Sequence, residues 1–168
     1  MNKVQRTQRG FSLINGMISL GVVGILFGSV VPTVTAIVLD NRATTETQEI
    51  AKAFKLARSA AVTQRDTVIV SAVDGDWTAG IEIWIDHNGD QRLDAEELLY
   101  TVPKLATDAQ LQERNGLTEF HFDRRGFVLP PTNKAIAFDY LAEGGCSWNH
   151  ELKVTYTGRT KVKATECR

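Results

Sequence analysis

Hydrophobic and polar positions divide this chain into three regimes. From Phe11 to Leu39 no side chain is ionisable, and residues such as Leu13, Ile14, Ile18, Leu20, Val23, Leu26 and Val30 keep the run apolar. That length exceeds the roughly 20 residues needed to cross a bilayer, so the pattern predicts a membrane-spanning helix. Pro32 lies inside it and favours a kink, because proline removes one helix hydrogen bond. Gly16, Gly21, Gly24 and Gly28 offer smooth patches where a second helix can approach. Asn15 is the one amide side chain near the start of the run.

From Asp40 to Arg65 the pattern changes. Ile50, Ala53, Phe54, Ala57, Ala61 and Val62 recur at three- and four-residue intervals, the signature of an amphipathic helix. It is expected to continue the first helix through a loose joint near Pro32 or residues 40–45. Glu46, Glu49, Lys52, Lys55 and Arg58 fill its polar positions and read as a solvated face. Beyond Arg65 the segments TVIVSAV, GIEIWID, TEFHFD, GFVLP, AIAFDYL and ELKVTYTGRTKVKATE alternate or are rich in β-formers, with glycines between them as turns. One long helix and about six short strands predict an α+β fold, with the helix's second half packed on a C-terminal antiparallel sheet. The expected divisions are a leader at 1–10, an apolar helix at 11–39, its amphipathic continuation at 40–65 and a β-rich domain at 66–168.

Charge adds topology and candidate chemistry. The net charge is only -1, yet Lys3, Arg6 and Arg9 precede the apolar run without an acid among them. Basic residues on that side predict a cytoplasmic N-terminus and a C-terminal domain across the membrane. Eight acidic residues stand between Asp74 and Glu97 against Arg92 alone, whereas five basic residues face Glu166 from Lys153 to Arg168. Within the acidic segment, Asp86, Asn88, Asp90, Asp94 and Glu97 occupy positions 1, 3, 5, 9 and 12 of an EF-hand-like calcium loop. Gln91 stands where that loop requires glycine, and a strand precedes it rather than a helix. The residues therefore leave two readings, a hairpin loop with Asp and Asn capping its turns, or a weak external calcium site. In the basic tail, alternation would put Arg159, Lys161 and Lys163 on one face of a strand, a row able to follow a phosphate backbone without reading bases. The competing reading is a solvated face or a contact with an acidic neighbouring subunit.

His87, His121 and His150 are dispersed, and no nucleophile–base set, phosphate-cradling glycine loop or zinc motif is present. The sequence gives no reason to expect an enzyme. Cys146 and Cys167 match no metal spacing. Export would favour one disulfide pinning the C-terminal strands, and otherwise they are two free thiols.

The stretch RGFSLINGMISLGVVGILFGSVVP resembles the prepilin signature of a short basic leader, a glycine, a phenylalanine and an apolar helix with a proline near its middle. KLARSAAVTQRDTVIV, DWTAGIEIWIDHNGDQRLDAEELL and VTYTGRTKVKATEC resemble, in order, the helix end, the tryptophan–glycine strand with its acidic loop, and the closing hairpin of the GspH/FimT group of minor pseudopilins. The resemblance implies cleavage by a prepilin peptidase between Gly10 and Phe11 and methylation of the new amino terminus. It implies assembly with other minor and major pseudopilins or pilins on an inner-membrane platform, in a type II secretion pseudopilus or a type IV pilus. Asn15 departs from the family, which usually carries a glutamate there to pair with a neighbour's amino terminus. Asparagine accepts a hydrogen bond but neutralises no charge, which suits a special position in the filament. FimT-like members include proteins that bind double-stranded DNA in natural transformation through a C-terminal Gly-Arg motif. Gly158 and Arg159 match its start, while Lys161 replaces a usual arginine, keeping charge but losing the bidentate fork. A third expectation is a membrane-anchored periplasmic β domain that does not polymerise.

Overall fold

The structure, a computed structural model, describes residues 13–106, 109–129, 135–142 and 149–165, with residues 26–36 described by their backbone alone. Among the described residues a long helix, α1 (Leu13–Gln64), precedes nine strands: β1 (Val68–Ala72), β2 (Ile81–Trp84), β3 (Leu98–Val102), β4 (Gln110–Glu113), β5 (Glu119–Phe122), β6 (Val128–Leu129), β7 (Ile136–Leu141), β8 (His150–Val154) and β9 (Thr160–Ala164). The chain forms two compact units, one ending at Val38 and one beginning at Leu39.

In the first unit the described side chains from Leu13 to Ile25 are largely exposed, Asn15 among them. Among the described residues no helix is long and apolar enough to cross a membrane. This corrects the expected transmembrane half of the helix, and with it the expected single-pass placement between cytoplasm and periplasm. Asn15, Gly16, Ser19, Gly21 and Gly24 interrupt the apolar side chains of this stretch.

In the second unit the helical spacing read from the sequence becomes a packed face. Ala43, Thr47, Ile50, Phe54, Ala57 and Ala61, at alternating four- and three-residue steps, are all buried. No joint interrupts α1 at residues 40–45. The Thr45 hydroxyl donates to the Asn41 carbonyl at 2.7 Å, and the buried Thr47 hydroxyl donates to Ala43 at 2.8 Å, so both hydroxyls are satisfied inside the helix.

The strands form two antiparallel sheets rather than one. The first has the order β3-β2-β1-β5-β6 and the second β4-β7-β8-β9. Phe54 of α1 sits between them, with its ring centroid 5.4 Å from Phe120 of β5 and 5.4 Å from Phe138 of β7. Trp77 closes the cluster edge-on against Phe138 at 4.9 Å, and its indole N–H donates to the Leu117 carbonyl at 2.7 Å. The tryptophan thus buries its ring without stranding its polar atom. His121 lies half-buried between the buried Phe120 and Phe122, as strand alternation requires.

Candidate functional site: a basic groove and an acidic loop

The C-terminal half of α1 and the turn before β9 meet at a pair of glycines. Gly126 and Gly158 both adopt positive φ, +79° and +73°. A side chain at Gly158 would overlap the Gly126 carbonyl oxygen. That carbonyl also accepts a hydrogen bond from Arg58 Nε at 3.2 Å. Arg58 therefore belongs to a junction of three elements and not, as its helix position suggests, to a solvated face. The turn is held by Gly158 N–H donating to Thr155 O at 2.8 Å and Thr155 N–H donating to Arg159 O at 3.0 Å.

A groove of about 610 Å³ opens beside this junction, lined by Lys55, Arg58, Ser59, Val62, Thr63, Gly158, Arg159 and Thr160. Of the three cations expected to share a strand face, Arg159 falls in the turn, one residue before β9, and lines this groove. Lys161 and Lys163 lie on β9, exposed, in register with Lys153 and Glu151 of β8. Lys55, Arg58 and Thr160 escaped the sequence reading, because helix periodicity does not reveal which strand turn will come to rest against a polar face. The glycine of TYTGRT was the available signal.

The neighbouring sheet surface carries a charge ladder. Arg114 forks onto Asp139 at 2.8 and 2.7 Å and reaches Glu151 at 2.7 Å, and Glu151 also takes Lys153 at 2.8 Å. Lys153 first, and Arg114 after it, hold the Glu151 carboxyl below its ordinary range against the opposing effect of burial. Asp123, at the turn leading to Gly126, is also held low. Burial alone would raise it, but the backbone N–H groups of Phe127 and Arg125, at 2.8 and 2.9 Å, and the Arg125 guanidinium prevail.

The acidic loop joins β2 to β3. Asp86 accepts the Gly89 and Gln91 N–H groups at 2.7 and 3.0 Å, Asn88 accepts Asp90 N–H at 2.8 Å, and Asp90 accepts Arg92 N–H at 2.8 Å. The buried Glu97 receives the N–H groups of His87 and Asp94 at 2.9 and 3.3 Å. Gln91 takes the positive φ, +60°, that the missing glycine would have supplied. Among the described residues no group of three or more His, Cys, Asp or Glu side chains is placed to hold a metal ion. The loop's carboxylates act as caps for its own backbone. Gly10, Phe11, Cys146 and Cys167 lie outside the described residues, and Pro32 is described by backbone only.

Residues 46–158, from the buried face of α1 to the turn at Gly158, match the family model of the type II transport protein GspH. The chain belongs to the GspH family. A GspH-family chain is a minor pseudopilin, a structural subunit of the type II secretion and type IV pilus class of machine, and not an enzyme. Its membership implies contacts with other pilin-like subunits and with assembly machinery. Two solved structures share the fold of this GspH-family chain. The type IV minor pilin FimU of Pseudomonas aeruginosa is 23% identical with a TM-score of 0.63, over 73% of this chain and 89% of that one. The minor pseudopilin EpsH from the type 2 secretion system of Vibrio cholerae is 13% identical with a TM-score of 0.55, over 73% of this chain and 97% of that one. No curated protein sequence matches.

Proposed function

We propose that this minor pseudopilin initiates or caps a type II secretion pseudopilus or a type IV pilus. The observation that carries the reading is the family match over residues 46–158, from the last third of α1 through β8, together with Asn15 in place of the family's usual glutamate. A neutral amide would leave a neighbour's amino terminus without its counter-charge, which favours a terminal position over the repeated interior of a filament. On this reading a prepilin peptidase removes residues 1–10, Phe11 becomes the methylated amino terminus, and the stretch around Pro32 packs with neighbouring subunits.

Deleting the chain from its host should cut the number of assembled filaments per cell severalfold, and the intact chain should restore it. An unchanged count would end the proposal. Processing is checked by mass spectrometry of the mature chain, which should begin at a methylated Phe11.

A second reading, binding of double-stranded DNA, is supported by the exposure of Arg159, Lys161 and Lys163. Binding that weakens steeply with salt and disappears in the triple alanine variant would support it. Absence of binding at low salt would leave these cations as subunit contacts.

A further inference from the structure

We propose that two copies of this chain pair through β3, edge to edge and antiparallel. A strand at the edge of a sheet carries a row of backbone N–H and C=O groups without partners, and folded proteins cover such rows or blunt them. Among the described residues the two sheets end in four strands, β3 and β6 in the first and β4 and β9 in the second. Three of these edges are protected. β6 is two residues long, and its Val128 N–H donates to the Tyr156 carbonyl at 2.9 Å. β4 is covered by Thr78, whose hydroxyl accepts the Leu111 N–H at 3.1 Å, and its Glu113 carbonyl accepts the Gly116 N–H at 3.3 Å. β9 carries Lys161 and Lys163, which repel a second strand of the same kind.

The edge of β3 is open. Its sequence, LLYTV, has no charge, proline or glycine, and Leu98 and Leu99 are 39% and 37% exposed. The phase of the ladder identifies which backbone groups face outward. Val73 N–H donates to the Gly80 carbonyl, and Ile85 N–H donates to the Glu97 carbonyl. Gly80 and Glu82 therefore turn their backbone groups toward β1, while Ile81, Ile83 and Ile85 turn theirs toward β3. Thr101 stands opposite Glu82, so its N–H and C=O point away from β2. Among the described residues no element other than β2 hydrogen-bonds to Leu98–Val102.

Charge selects the occupant. The strand begins just after the exposed Asp94 and Glu96, and it ends just before the exposed Lys104. Neither Glu96 nor Lys104 makes an ion pair among the described residues. Two copies of β3 laid antiparallel about a two-fold axis bring the acidic end of each beside the Lys104 end of the other, with the open groups of Thr101 near the centre. A parallel arrangement would set Glu96 against Glu96. The strand is thus complementary to itself in one direction only, and pairing also removes apolar surface of Leu98 and Leu99 from water in both copies. Five residues on each side make a small interface, so the association is weak and concentration-dependent. The pair closes on itself and admits no third copy, which distinguishes it from the head-to-tail growth of a filament.

The test is sedimentation equilibrium of the full chain over a wide range of concentration, with detergent covering the exposed apolar side chains between Leu13 and Ile25. A monomer–dimer equilibrium is expected. Glu96→Lys alone and Lys104→Glu alone should each weaken it severalfold, because each brings like charges together. An equimolar mixture of the two variants should pair as well as the unaltered chain, since acid then meets base at both ends of the mixed pair. Both changes fall on exposed side chains and should leave the unfolding midpoint in place, so lost pairing is not lost folding.

Amide hydrogen exchange supplies a second readout. Exchange at the Thr101 N–H should slow as concentration rises, while exchange at the Val102 N–H, which faces β2, should not change. A chain that stays monomeric throughout, single variants that pair like their parent, a mixture that fails to recover pairing, or Thr101 exchange independent of concentration would each overturn the proposal.

Discussion

Single residues decide the geometry of the basic groove. Gly158 combines a positive φ with contact against the Gly126 carbonyl, so Gly158→Ala meets both backbone strain and a steric clash. We expect it to lower stability by about 1–3 kcal/mol, read from the urea midpoint. Gly89 also has positive φ but faces open space, and Gly89→Ala should cost less because only the strain remains. Trp77→Phe would leave the part-buried Leu117 carbonyl without its 2.7 Å donor, at a cost of about 1 kcal/mol by the same measurement. None of these positions announces its role in the sequence. A glycine between two β-rich segments signals a turn, but the partner it touches lies 32 residues away along the chain, between 126 and 158.

At the scale of elements, the buried stripe of α1 was legible because its spacing follows directly from 3.6 residues per turn. Ile50, Ala53, Phe54, Ala57 and Ala61 are all buried as that spacing requires, though Val62 remains exposed at the groove. The strands were legible as segments but not as two sheets, since alternation gives each strand a face and not a partner. Two strands were missed. QLQE, which pairs with β7, is too short and too polar to stand out, and LLYTV, which pairs with β2, follows directly on the acidic loop. Phe54 joins the helix to both sheets, so Phe54→Ala should destabilise the second unit by about 3–5 kcal/mol in thermal or denaturant unfolding. The acidic loop shows the opposite case. Its residues were singled out for calcium, yet their oxygens are taken up by backbone N–H groups. Ligand type and spacing were visible in the sequence, and local turn formation uses the same atoms.

At the scale of the whole molecule, uneven charge translates into a pH dependence. Asp123 and Glu151 have folded-state pKa values below their ordinary ones. Each therefore contributes stability that is fully present above the unfolded-state value and is lost as pH falls through the folded-state value. The unfolding midpoint should decline on acidification below about pH 5, and Asp123→Asn with Glu151→Gln should flatten that decline. A variant that keeps the wild-type slope would show that other carboxylates govern acid unfolding. The junction of Arg58, Gly126 and Gly158 carries one more implication, for how this chain can change over generations. Three residues from distant stretches of one gene meet at a point too crowded for a methyl group. Mutations at either glycine would be removed by selection while the acidic loop's exposed tip drifts freely, and the groove beside that junction would be inherited with the fold itself.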